Sequence, residues 1–381
     1  MKKIIYCLIL FFVGISVSFA EILNSPTWGY SVDLPEEFVL VDKNGADSYM
    51  FENAFVSSTV ILKAYKKEKF SSSLEAMETV MKQLGAEFEC AETDWRNTDC
   101  IISQFAFNIG GASNTGWAVS SLLQDSKGYV VMLCYSPTEV FYDLEQFIIS
   151  CVDSLCIDYG SYYSPGPLTS FAFPKGEVQN HTVEIAGEKI DFPLNSNDIE
   201  ADRFVVEREY SVLSLYQDSE MWVEAWQRYY RQVYKNAYSR LKIAAFNIYN
   251  RLIKTCESEN PEIELAQKLL FWTQGFDYVR DFTSTDFTPI TASITGTGSD
   301  CDSRAMLLAC LLHHMNYDTC LFVSAEFSHS LFGIVLDKAG AKINIDGRQF
   351  LLGETTAQVD IGLVPANMNQ TDKWIFVELN N

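Results

Sequence analysis

The stretch GSDCDSRAMLLACLLHHMNYD, residues 298–318, decides the reading of this chain. Ser299, Asp300 and Asp302 are residue types that start helices, because their side chains accept the free N–H groups of a first turn. From Cys301 onward, Ala305, Leu308, Ala309 and Leu312 share one helical face, and Met306, Leu307 and Leu311 widen it. The spacing predicts a mostly buried helix that begins at Cys301 and offers only its first turn to a cleft. Asn316 then supplies a residue that takes the left-handed cap conformation usually given to Gly. A thiol in the first turn faces unpaired N–H groups and the positive end of the helix dipole, and both favour the reactive thiolate. The flanking aspartates oppose this, so a cationic partner is required.

A nucleophilic cysteine needs a base that takes its proton and then pairs with it as a cation. The chain has four histidines. His313 and His314 lie on the same helix as Cys301, roughly 18 Å along it at 1.5 Å per residue, and cannot reach it. His181 precedes the helical region. His329, in SAEFSHSLFGIVLD at the start of a strand-like run, remains as the base. Two carboxylates could orient it. Asp346 belongs to an Asp-Gly hairpin turn between AKINI and FLLGE, so it sits at the tip. Glu354 ends the returning strand, where it can come back beside His329. The turn geometry favours Glu354 and keeps Asp346 as the alternative.

These residues resemble a known family. GSDCDSRAMLLACLLHHMNYDT is similar to the cysteine segment of bacterial transglutaminase-like proteins. WTQGFDYVRD resembles their preceding helix segment, HSLFGIV their histidine strand, and INIDGRQFLLGETTAQVDIGLVP their acid-bearing segment. The resemblance covers roughly residues 260–367. It implies a papain-like fold, with Cys301 as nucleophile, His329 as base and Glu354 as third member, Glu-Thr-Thr standing where Asp-Pro-Thr is usual. Ser330 follows the histidine where an aromatic residue is common, and Asn316 replaces a Gly. The Cys301 backbone N–H and Gln274 are the candidate oxyanion donors. The implied chemistry is acyl transfer or hydrolysis at peptide or glutaminyl amides through a cysteine thioester. A catalytically silent scaffold or binding protein of the cell envelope is the alternative.

The rest of the chain gives the context. MKKIIYCLILFFVGISVSFA, residues 1–20, has two lysines, an apolar run and a small-x-small ending, and reads as a cleaved secretory signal. This predicts a periplasmic or secreted protein with no membrane span after cleavage. Net charge is −22, and loss of Lys2 and Lys3 with the leader makes it −24. Such a chain repels nucleic acid and anionic lipid, which leaves a protein or peptide as the substrate. No cofactor is implied, and Asp300, Cys301, Asp302 and His313 have no usable metal-ligand spacing. Ten cysteines become nine after cleavage, with no Cys-x-x-Cys. Cys90 and Cys100 flank an expected hairpin and are a candidate disulfide, while six others lie in apolar settings.

The fold class expected is α+β, in two domains. Residues 21–158 alternate in strand fashion around two helical stretches, SSLEAMETVMKQLG and EVFYDLEQFIISCVDSL, and predict an antiparallel sheet with helices on one face. This unit resembles the α/β/α sandwich of secreted domains related to photosystem oxygen-evolving subunits, and carries no catalytic cluster. Residues 159–200, rich in Gly, Pro and Ser, read as a linker with a short strand pair. Residues 201–381 form the helix-plus-sheet domain that holds the motif. Trp222, Trp226, Tyr230, Tyr234 and Tyr238 recur every fourth position and read as a helix stripe docked on the core.

Overall fold

The computed structural model describes residues 22–279, 285–296, 298–368 and 370–379. The expected leader and part of the loop before Cys301 lie outside them. The chain is a mixture of helices and antiparallel sheets. A two-residue pair, β1 (Leu23–Asn24) and β2 (Ser31–Val32), opens it. A seven-stranded antiparallel sheet follows, built from β3 (Phe38–Asn44), β4 (Ser48–Asn53), β5 (Ser58–Lys66), β6 (Glu87–Glu92), β7 (Cys100–Ile109), β8 (Ala112–Leu122) and β9 (Gly128–Pro137). Its spatial order is β3-β4-β5-β9-β8-β7-β6.

Helices α1 (Ser73–Leu84) and α2 (Phe141–Asp153) cover opposite faces of this sheet, not the single face expected. Strand alternation explains it. Ile101, Phe105, Val131 and Leu133 pack with Met77 and Met81 of α1, whereas Ile102, Val119, Val130 and Met132 pack with Phe147, Ile148 and Val152 of α2. Both faces are apolar, so both need a lid. Ser72 caps α1 by accepting the Glu75 N–H at 3.2 Å, and Gly85 ends it at φ +65°.

The stretch expected as a linker is folded and packed. It forms α3 (Tyr159–Tyr162), α4 (Pro167–Ala172) and the hairpin β10 (Val178–Ile185) and β11 (Glu188–Asn195). Buried Asp153 accepts the Leu168 and Thr169 N–H groups at the start of α4, which makes these turn residues part of the core. The composition reflects tight turns here, not solvation.

Four helices come next: α5 (Asp198–Ser214), α6 (Trp222–Tyr238), α7 (Lys242–Leu252) and α8 (Pro261–Gln274). A short α9 (Ile290–Ser293), fully buried, interrupts the segment expected as a polar loop. The predicted motif helix is α10 (Cys301–His314). Five antiparallel strands close the chain: β12 (Thr319–Ser324), β13 (His329–Val335), β14 (Lys342–Ile345), β15 (Arg348–Gly353) and β16 (Ile375–Glu378), in the order β14-β15-β13-β12-β16. Leu321, Val323, Phe332, Ile334, Leu351 and Val377 of this sheet pack on Leu307, Leu308 and Leu311 of α10.

A buried ionic network joins the first half to the second. Arg228 of α6 donates to the Asp33 carbonyl, to Glu209 and to Ser150, each at 2.9 Å, and Arg208 of α5 pairs with Asp153 at 2.6 Å and Glu209 at 2.7 Å. Arg231 and Gln232 hold the Asp33 carboxylate. All these groups are almost free of solvent except Arg231, so each charge depends on its partner.

Cys90 and Cys100 are both free thiols. They lie on neighbouring strands but out of register, since Cys90 pairs with Ser103 and Cys100 with Ser121. Cys134, Cys151, Cys156, Cys310 and Cys320 are buried as expected, while Cys256 is half-buried.

Candidate active site

Asp300 is the N-cap of α10, and its Oδ1 accepts the Ser303 N–H at 2.9 Å. Its other oxygen accepts the Ser303 hydroxyl at 2.7 Å and the Thr288 N–H at 2.9 Å. Capping at both oxygens fixes where the helix begins, and so places Cys301 in the first turn. At the other end, Asn316 takes φ +69° and the Tyr317 N–H returns to the Leu312 carbonyl at 3.1 Å. This is the left-handed stop that residue type favours.

His329 opens β13, and its Nε2 meets Glu354 Oε2 at 2.8 Å. Antiparallel pairing of Phe332 with Gly353 brings the end of β15 alongside the start of β13. The other oxygen of Glu354 accepts both the N–H and the hydroxyl of Thr356 at 2.6 Å. Burial pushes the Glu354 carboxyl up, but the His329 imidazole and the Thr356 donors more than offset it and hold it below the usual carboxylate range. Asp346 sits instead at the β14–β15 turn, with φ +49° followed by Gly347 at φ +84°. That geometry keeps it away from His329.

Cys301 is 5% exposed. Its thiol donates to Asp302 Oδ1 at 3.2 Å, and the backbone of Ser330, one residue beyond His329, acts in favour of the thiolate. Asp302 is itself anchored: Tyr230 donates to Oδ2 at 2.6 Å, and the Ser330 hydroxyl donates to Oδ1. Burial pushes the Cys301 thiol far up, and the charges of Asp302 and then Asp300 add to this. The helix terminus therefore loses to desolvation and like charge, and the thiol rests protonated. Asp300 is lifted to about 7, first by burial and then by the Asp302 charge. Since Nε2 of His329 is committed to Glu354, Nδ1 is the ring nitrogen left to face a second partner.

Gln274, the candidate oxyanion donor, is engaged elsewhere in this structure. It is the last residue of α8, and its Nε2 donates to the backbone carbonyls of Glu354 at 2.8 Å and Val359 at 2.9 Å. Both amide hydrogens are consumed in holding the acid-bearing turn. Arg304, one turn beyond Cys301, works beside it. Its buried guanidinium donates to Ser299 Oγ, to the Thr355 carbonyl and to the Phe276 carbonyl.

Asp300, Cys301 and Asp302 place one metal-ligating type of atom each within 4.8 Å of one another, closer than their spacing suggested. Their oxygens are already engaged by the neutral donors named above. His313 is remote from them, bonded to the Tyr234 hydroxyl and stacked on that ring. His314 bonds to the Tyr238 carbonyl at 2.8 Å. The aromatic row of α6 is therefore largely packing, as its period indicated, with one member the sequence gave no sign of: Tyr230 reaches Asp302. Asp302, Ser330 and Arg304 were likewise unmarked. Asp302 could have been flagged by the cost of a carboxylate beside a buried thiol.

No family model matches the chain, and no curated protein matches it. Among solved structures, it is similar to the cyanobacterial PsbP of Synechocystis, at 11% identity and TM-score 0.29, over 38% of this chain and 95% of that one. It is similar to the Ran-binding protein Mog1p of Saccharomyces cerevisiae, at 10% identity and TM-score 0.29, over 38% of this chain and 98% of that one. A Bacteroides thetaiotaomicron protein matches at 12% identity and TM-score 0.24, over 90% of this chain and 88% of that one. At TM-scores this low, none of these likenesses bears on fold or function. No helix of the described residues is long and apolar enough to cross a membrane.

Proposed function

We propose that the chain is an exported transglutaminase-like cysteine enzyme with a papain-type second half, acting on peptide or glutaminyl amides. The observation that carries this reading is the 2.8 Å pair of His329 Nε2 and Glu354 Oε2, beside Ser330, whose hydroxyl shares Asp302 Oδ1 with the thiol of Cys301. The reaction begins when the Cys301 proton passes to His329 Nδ1, with Glu354 stabilising the imidazolium. The sulfur attacks the amide carbonyl, and the imidazolium returns the proton to the leaving amine. Water, activated by the same ring, then releases the acid from the thioester. An amine in place of water gives transfer. The Cys301 N–H supplies one donor to the developing oxyanion.

For the thiol to react it must leave Asp302 and meet the His329 ring. The thiol's bond to Asp302 is also the observation that favours the second reading, a silent scaffold. The two readings part on one measurement. The chain is treated with iodoacetamide at pH 6, and labelled thiols are counted by mass spectrometry. The enzyme reading expects one fast-labelled thiol, lost in Cys301→Ala, together with ammonia release from glutaminyl peptides that the same substitution removes. Identical labelling of both proteins would leave only the scaffold.

A further inference from the structure

We propose that Cys156 and Lys235 form an oxidant-driven sulfur–nitrogen cross-link that clasps the two halves of the molecule, independently of Cys301. The Lys235 Nζ donates to Cys156 Sγ at 3.1 Å and to the Ser154 carbonyl at 3.2 Å. Lys235 is 4% exposed and Cys156 2%. A buried lysine is normally held by a carboxylate. Here the nearest acceptors are a thiol and a carbonyl, so the nitrogen is aimed at sulfur.

Both partners are fixed from behind. The Cys156 backbone is bonded in both directions to Ser31, at 2.8 Å each way. Helix α6 is pinned on either side of Lys235 by Gln232 to Asp33 at 2.7 Å and Asn236 to Asp202 at 2.9 Å. The ring of Tyr162 lies 5.9 Å from the ammonium and closes the site. A polar cavity of about 10 Å³, walled by Asp153, Gln232 and Asn236, lies against Lys235. That is room for one water-sized molecule beside the ammonium. Another lysine–cysteine contact, Lys268 with Cys256, is longer at 3.9 Å and half-exposed, and lacks this confinement.

The chemistry balances with one peroxide. The Cys156 sulfur attacks the O–O bond, giving sulfenic acid and one water. The Lys235 amine, its extra proton released to solvent, attacks that sulfur. The S–OH bond breaks, the S–N bond forms and a second water leaves. Sulfur has lost two electrons and peroxide has gained them. Sulfenic acids condense with nitrogen in this way when a nitrogen is held close. A thiol reductant reverses the bond, returning both side chains and a disulfide of the reductant. The cross-link spans 79 positions of sequence, so it removes much of the unfolded chain's freedom.

The test treats the purified full chain with hydrogen peroxide and maps it by mass spectrometry without reduction. The expected product joins the peptides carrying residues 156 and 235, is lighter than their sum by two hydrogen atoms, and disappears with dithiothreitol. Neither Cys156→Ser nor Lys235→Arg should form it, the latter keeping the buried cation. The oxidised chain should melt several degrees higher than the reduced one, and oxidised Lys235→Arg should not. The proposal is overturned if Cys156 stays a free thiol, if it proceeds to sulfinic or sulfonic acid without the cross-link, or if the same mass loss maps elsewhere. The peptide map of the unsubstituted chain decides the matter even where a variant fails to fold.

Discussion

The two large sheets share a plan and differ at one place. Each is antiparallel and packs a face against a helix. In the seven-stranded sheet both helix interfaces are apolar, with Met77 and Met81 on one side and Phe147 and Ile148 on the other. In the five-stranded sheet the interface with α10 is apolar along its length but polar at one end, where Cys301, Asp302, Ser330, His329 and Glu354 gather. A thiol there is raised, a carboxyl is lifted to about 7 and another is held low. Opposed shifts occur at reaction sites, and also in the buried ionic network, where Asp33 is held low and Glu36 is lifted to about 7. The first sheet has bought nothing but stability from its helices; the second gives some up.

The sharpest way to break this comparison is Cys301→Ala, which we expect to abolish both fast labelling and ammonia release, leaving the far-UV circular dichroism unchanged. Loss of the network joining the halves comes next. Arg228→Met leaves Glu209 buried with one cation fewer, and should cost roughly 3–5 kcal/mol in urea unfolding. Arg251→Ala, at an exposed pair with Glu188, should cost no more than about 1 kcal/mol in the same assay.

Glu354→Gln should lower turnover by about a hundredfold or more while Cys301 remains alkylatable, because the imidazolium loses its stabiliser. Asp302→Asn should act in the opposite direction on the thiol. Removing the like charge lowers the thiol's pKa, and we expect alkylation at pH 7 to quicken about tenfold for each unit it falls. Slower alkylation would mean that Asp302 activates the sulfur.

The smallest effect is a slope. Asp300 in the folded chain binds its proton up to about pH 7, against the ordinary 3.8 of an aspartate in the unfolded chain. The folded state thus holds more protons between these values, so this group's contribution to stability is full below about pH 4 and lost as pH rises through 7. Asp300→Asn keeps the cap and should flatten stability measured across that window.

Local signals were the legible ones. The start of α10 at Cys301, its stop at Asn316 and the Asp346-Gly347 turn each depend on a few neighbouring residues, and each lies where the spacing put it. The closeness of His329 to Glu354 rests on the further pairing of β15 with β13, Phe332 opposite Gly353. What stayed hidden depended on distant partners. Gln274 spends its amide on carbonyls 80 and 85 positions away, and nothing near it in sequence announces this. Tyr230 reaches Asp302 across 72 positions. The turn-rich run after residue 158 read as a linker because composition cannot tell a flexible turn from one closed by the buried carboxylate of Asp153.

Arg228 has a consequence for any attempt to divide the molecule. It sits in the second half and reads three groups at once, two of them contributed by the first. A fragment ending at residue 158 would keep Asp33 and Asp153 without the guanidinium groups that neutralise them. The complementary fragment would carry orphaned cations. The natural seam visible in the primary structure is thus no place to cut.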